Sequence, residues 1–179
     1  MFGPIAEAIE TRRLVLEPPA AHDADEMAVV LGDPRLHDFI GGEPLTVDEL
    51  RARYEQLAAG PAPFHQEGWL TWIIRRRRDR RAVGFVQATV TPGARGLRAN
   101  VAWVVGMPFQ GFGFATEAAA GMLGWLRAHA VHEITAAVHP GNAPSAAVAR
   151  KLGLRPTGEW SGDEIVWRGG DRHDRGTEG

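Results

Sequence analysis

The sequence predicts an α+β fold, and three observations carry that prediction. Alternating segments come first and follow one another as a meander. Strand-like and helix-like segments then take turns. Glycine, proline and capping residues punctuate them at short intervals. Residues 13–17 (RLVLE) alternate and stop at Pro18-Pro19, as a strand does. Residues 23–31 read as a short helix ended by Gly32-Asp33-Pro34, and 33–44 as a loop. Thr46, with Glu49 three residues on, is a capping box opening a helix that ends before Gly60-Pro61. Residues 69–75 (WLTWIIR), 82–90 (AVGFVQATV) and 97–105 (LRANVAWVV) read as three strands, the first two joined by an arginine-rich turn. After a glycine-rich loop, Ala115, Ala118, Ala119, Met122, Leu123, Leu126 and Ala130 recur at helical spacing. Residues 133–138 form a strand, 144–151 a helix closed by Gly153, and 154–159 and 164–168 the last strands. An antiparallel meander followed by strand–helix–strand–helix is not the pattern of a doubly wound sheet.

The chain has 179 residues, which suits one domain; we read it as 1–168, with 169–179 as a polar, disordered tail. It is 44% hydrophobic and 23% charged, ordinary globular usage. No apolar run is long enough for a membrane span, and MFGPIAEAIE has acids but no basic stretch, so the expected compartment is the cytoplasm. There is no cysteine, which removes thiolate nucleophiles and cysteine-ligated metal. A net charge of −2 argues against a general nucleic-acid binder. Oligomeric state is unreadable from sequence, and a homodimer is compatible with it.

The most informative segment is Val104-Val105-Gly106-Met107-Pro108-Phe109-Gln110-Gly111-Phe112-Gly113-Phe114-Ala115, where a strand runs through glycines into an apolar helix. Backbone N–H groups at such a helix start lack intrahelical partners and, with the helix dipole, suit phosphate or diphosphate. A Walker loop would need Gly-Lys-Ser/Thr, and no lysine is present. A dinucleotide fingerprint would need Gly or Ala where Thr116 stands. The acetyl-CoA pattern Gln/Arg-x-x-Gly-x-Gly/Ala is met by Gln110, Gly113 and Ala115 without a mismatch. The bland alternative is that the glycines only turn the chain.

A second segment reinforces the first: His139-Pro140-Gly141-Asn142-Ala143-Pro144-Ser145 after a strand, with Arg150-Lys151-Leu152-Gly153-Leu154 ending the next helix. With the opening Thr11-Arg12-Arg13-Leu14-Val15-Leu16, the chain resembles the GNAT acetyltransferases, in particular the RimJ/RimL-like branch that acetylates ribosomal-protein N-termini. The resemblance implies a mixed central sheet with a splayed parallel strand pair, residues 97–105 and 133–138, and about four flanking helices. It implies acetyl-CoA as co-substrate, with no metal. The diphosphate would lie on Gln110, Gly111, Phe112, Gly113, Phe114 and Ala115, below the strand end at Val104 and Val105. A bulge there would aim the Val105 N–H at the thioester carbonyl, as an oxyanion donor. The acceptor, a protein N-terminus or a small-molecule amine, would attack directly, without a covalent enzyme intermediate. Asn142 and Ser145 would contact the pantetheine arm and the sulfur; Ser145 also suits a helix cap.

Two positions depart from the family. Where many members have a tyrosine acid, this chain has Ala149, and its single tyrosine is Tyr54. Where the branch commonly has a glutamate base, it has Asn100. His37, Asp38, Glu43 and His65 border the expected acceptor cleft, and each reads first as a solvated loop residue. These departures keep a non-catalytic CoA-binding module as an alternative. An RNA-binding reading rests on the run Arg75-Arg76-Arg77-Arg78-Asp79-Arg80-Arg81, which reads first as a solvated hairpin turn. His129 and His132 read as surface histidines at a helix end, not as metal ligands. Trp69, Trp72, Phe85 and Trp103 read as sheet-face packing, with Trp103 a second candidate wall for the acceptor pocket.

Overall fold

A computed structural model describes residues 5–36, 44–59 and 68–169 of the chain. Among these, eight strands form one sheet: β1 (Ile9–Glu10), β2 (Leu14–Glu17), β3 (Gly68–Arg76), β4 (Ala82–Gly93), β5 (Gly96–Val105), β6 (Val131–Val138), β7 (Arg155–Ser161) and β8 (Glu164–Gly169). The helices are α1 (Ala24–Val30), α2 (Val47–Ala58), α3 (Phe114–Ala128) and α4 (Ala143–Lys151). The strand order is β1-β2-β3-β4-β5-β6-β8-β7, antiparallel throughout except for β5 and β6, which run parallel. The mixed α+β sheet with one parallel pair is the architecture the sequence predicted.

Local chemistry sets most boundaries. Thr46 caps α2 by accepting from the Glu49 N–H at 3.2 Å, and Glu49 returns a bond from the Thr46 N–H at 3.2 Å. This is the reciprocal pairing read from sequence. Helix α1 starts one residue later than expected, because Ala21–Asp23 forms a 3₁₀ turn ahead of it. Strand β1 escaped the sequence reading: two residues carry no period, and only pairing with β2 makes them a strand. The expected tail began at 169, but Gly169 pairs with Ile134 as the last residue of β8; residues 170–179 and the loop positions 37–43 lie outside the described residues.

The sheet buries both faces unequally. On one, Leu14, Leu16, Leu70, Trp72, Val86, Ala88, Val101 and Ile134 pack against Ala118, Met122, Leu123 and Leu126 of α3 and Ala149 of α4. On the other, Ile73 and Ala82 pack against Ala24, Met27, Leu50 and Tyr54 of α1 and α2. That second core covers only the β3–β4 hairpin end. The rest of this face carries half-exposed polar residues, and there the groove described below opens.

The arginine-rich hairpin is wired into the fold. Arg75 is nearly enclosed and reaches Asp23 at 2.6 Å, Glu26 at 2.8 Å and Glu17 at 3.2 Å. Arg76 pairs with Asp79 at 2.6 Å, Arg77 with Glu10 at 3.3 Å, and Arg80 with Glu17. Arg76 and Arg81 also cover the Phe109 ring. The solvated-turn reading therefore holds for the tip alone. Most of the run is neutralised by carboxylates from β1, β2, α1 and the turn itself.

Candidate active site

The site begins where two parallel strands part. β5 and β6 pair from Leu97 with Val131, shift by one residue, run on from Arg98 with Glu133 to Asn100 with Thr135, and pair no further. Asn100 Nδ2 donates to Thr135 Oγ1 at 3.0 Å across that last pair. The residue that stands where a glutamate base was sought is thus a strut at the apex of the opening. Beyond it, Val101 to Val105 stay paired to β4 only.

Val105 ends β5, opposite Gly84 of β4, and the Gly106 N–H donates to the Val83 carbonyl at 2.8 Å. The register with β4 is unbroken to this point; the irregularity in the β5–β6 pairing falls at its start, where β6 carries the extra residue, His132, between the partners of Leu97 and Arg98. The expected bulge is therefore absent from the register. The strand end is nonetheless distorted: a Cβ on Gly84 would collide with the Val104 carbonyl oxygen. That carbonyl leans toward β4, so the trans peptide turns the Val105 N–H the opposite way, to the side where β6 has splayed off. The Val105 carbonyl is taken by Gln110 Nε2 at 2.9 Å. The Gln110 side chain thus latches the loop to the strand, and its N–H donates to the Met107 carbonyl at 3.3 Å, so Gln110, expected among the diphosphate donors, has its N–H engaged within the loop.

The loop follows as a 3₁₀ turn, Met107–Phe109, and then Gly111 and Gly113 at φ +87° and +80°. Glycine is needed at both, since L side chains avoid this region. Nothing lies within 4 Å of a Cβ placed on Gly111. Gly113 is the N-cap of α3, and the N–H groups of Gly111, Gly113, Phe114 and Ala115 have no acceptor among the described residues. Phe114 is buried and anchors the helix start, whereas Phe112 is exposed. The result is a cradle of free donors at the positive end of a 15-residue helix.

Across the opening, Asn142 caps α4 by accepting from the Ser145 N–H at 3.3 Å. Sequence reading allowed Ser145 to be the cap, and the structure gives that role to Asn142. The Ser145 hydroxyl is left half-exposed without a partner among the described residues. Ala149, at the position of the family tyrosine, is fully buried in the main core. Tyr54 lies on the buried face of α2, and burial together with nearby Asp23 pushes its hydroxyl pKa up to about 12. Neither position offers an acid to the site.

On the sheet face toward α2, a groove of about 360 Å³ is lined by Arg53, Gln56, Trp69, Thr71, Gln87 and Thr89. Register extends its floor toward the opening: Trp69 pairs with Thr89, Thr89 with Asn100, and Asn100 with Thr135. Trp103 does not join it. Alternation puts Trp103 on the opposite face, against the main core, and its buried Nε1 has no partner among the described residues. His37, Asp38, Glu43 and His65 lie outside the described residues. His129 stacks on Trp125 and bonds its carbonyl, and among the described residues no three potential ligands gather for a metal.

A partner of the loop that sequence reading missed is Arg13. Its Nε pairs with Glu117 at 2.7 Å and its Nη1 donates to the Phe112 carbonyl at 2.9 Å. Burial would raise the Glu117 carboxyl, but bonds from Thr11 and Arg13 hold it below its ordinary 4.5. The opening Thr-Arg-Arg-Leu was the available signal; its distance of 104 residues from Glu117 hid the pairing.

A splayed parallel pair above a glycine cradle defines a protein of the acyl-CoA transferase class. The chain matches the acetyltransferase (GNAT) domain family over residues 13–155, and it belongs to that family. Its members use acetyl-CoA. Solved structures of the same fold include Mycobacterium smegmatis RimJ in complex with CoA-disulfide, at 23% identity and TM-score 0.80, covering 97% of this chain and 91% of that one. Vibrio fischeri ribosomal-protein-S5-alanine acetyltransferase superposes at TM-score 0.77 with 19% identity, over 93% and 98% of the two chains. RimL, a ribosomal L7/L12 α-N-protein acetyltransferase in complex with coenzyme A, gives 0.73 and 15%, over 92% and 98%. No curated protein matches the chain by sequence.

Proposed function

We propose that this acetyltransferase, one domain over residues 1–168, moves an acetyl group from acetyl-CoA to an α-amino group by direct attack. The observation that carries this reading is the set of free N–H groups at the start of α3, from Gly111 to Ala115; the end of β5 at Val105, unpaired to β6, and the unpartnered Ser145 hydroxyl support it. The loop N–H groups bind the diphosphate. The Val105 N–H stands where negative charge develops on the thioester oxygen and is already oriented, so it lowers the barrier without reorganising. Asn142 holds the first turn of α4, and Ser145 donates to the sulfur as it departs. A thiol with pKa near 8.5 needs no stronger acid. Acetyl-CoA supplies the activated acetyl group, and the amine displaces the CoA thiol.

The groove between α2 and the β3–β4 hairpin is the acceptor channel in this reading. No carboxylate lines it among the described residues. An α-amine, with pKa about 7.7–8, is roughly a tenth neutral at pH 7; a lysine side chain at about 10.4 is neutral only to some 0.04%. The gap of about 2.5 units, near 3.4 kcal/mol, must otherwise come from a base. A peptide with a free N-terminus and no lysine is therefore acetylated in preference to the same peptide blocked at its N-terminus and carrying lysine. The test is thiol release and mass spectrometry on both peptides in competition at pH 7. Preferential lysine acetylation overturns the acceptor assignment; no thiol release with any amine overturns catalysis.

A further inference from the structure

The guanidinium of Arg13 is held by two of its nitrogens and leaves the third unengaged. Nε is on Glu117 and Nη1 on the Phe112 carbonyl, and the group lies over the Phe114 ring, 4.7 Å from its centre. These three contacts fix both position and plane. Nη2 has no acceptor among the described residues and is the atom that a Cβ on Gly113 would meet, at 3.5 Å. A fixed cationic donor therefore stands at the edge of the cradle, contributed by the segment before β2 and not by the loop.

Glu117 sharpens the point. It lies in the first turn of α3, where a negative charge would oppose an anion at the helix start. Three donors from the β2 segment meet its carboxylate: Thr11 Oγ1 at 2.5 Å, the Arg13 N–H at 2.9 Å and Arg13 Nε at 2.7 Å. The pairing screens that charge from the loop while aiming the remaining guanidinium arm at it.

We propose that Arg13 is a diphosphate-binding residue: its Nη2 donates to the CoA diphosphate seated on the α3 start, and Glu117 positions it. The inference rests on the assignment of the Gly111–Ala115 loop to the diphosphate. A tether that merely ties β2 to α3 makes a different prediction, because the two roles differ in sign at Glu117. Glu117→Gln loosens a tether, yet it also removes an anion from beside the phosphates.

The experiment measures the dissociation constants of CoA and of pantetheine, which lacks the diphosphate, by calorimetry on the full chain, with thermal midpoints alongside. Arg13→Gln weakens CoA at least tenfold and leaves pantetheine within twofold. Glu117→Gln, whose side-chain carbonyl oxygen still accepts from Arg13 Nε, lowers the thermal midpoint yet binds CoA as tightly as the parent or more tightly. The proposal is overturned if Arg13→Gln leaves CoA affinity unchanged. It is equally overturned if both variants weaken CoA by similar factors in step with their loss of stability. If the parent protein binds CoA no more tightly than pantetheine, the loop assignment itself falls, and Arg13 with it.

Discussion

Gly111→Asn separates a ligand cradle from a mere turn. Gly111 sits at φ +87° with open space where a Cβ would be, so the new side chain meets no protein atom near its base. Asparagine tolerates the left-handed region, and the residual strain is about 1 kcal/mol. In a domain of this size that lowers Tm by about 2–4 °C. With the diphosphate seated against this loop, the added side chain competes with it for the same open space. Displacing the diphosphate from a single charge-assisted N–H bond costs about 1.5 kcal/mol, slightly more than a tenfold rise in the CoA dissociation constant. Gly162→Asn is the matched control, since Gly162 has φ +61° and equally open surroundings but lies in the β7–β8 turn. Calorimetry with CoA reads both variants. A folded Gly111→Asn protein with the CoA affinity of Gly162→Asn would refute the reasoning.

Ser145→Ala slows turnover several-fold while the CoA dissociation constant stays within twofold, because a bond to the sulfur strengthens only as thiolate forms; an equal loss in both would make the hydroxyl a ground-state contact. Arg75→Met takes the guanidinium from Asp23, whose side chain is 8% exposed and keeps the Ala20 N–H as a donor, and costs about 3 kcal/mol in urea unfolding, whereas Arg78→Met, at the exposed turn, costs under about 0.5 kcal/mol. Stability also carries an acid limb. The Glu26 and Glu117 carboxyls are held below their ordinary 4.5 in the folded chain, so the stability they contribute is complete above that pH and is lost as pH falls through their folded values. Glu117→Gln flattens this limb in pH-dependent melts, and an unchanged limb in that variant would show that Glu117 does not contribute to it.

What the sequence determined by itself is whatever nearest neighbours along the chain decide. The Thr46–Glu49 box starts a helix because both partners lie within one turn, and the glycines of the loop are legible because a left-handed φ is a property of one residue. The order of elements and the match of Gln110, Gly113 and Ala115 to a CoA loop follow from such local signals, and the parallel pair was legible only through the family resemblance those motifs carry. What only the tertiary structure decided is which distant groups meet. Asn100 becomes a strut through Thr135, Arg75 closes a cluster of carboxylates, β8 inserts between β6 and β7, and Trp103 turns to the main core. Even Ser145 was ambiguous until the turn geometry gave the cap to Asn142. The physical reason is common to all of these. Hydrogen bonds and ion pairs act over about 3 Å, and chain order says nothing about which residues a folded sheet brings that close.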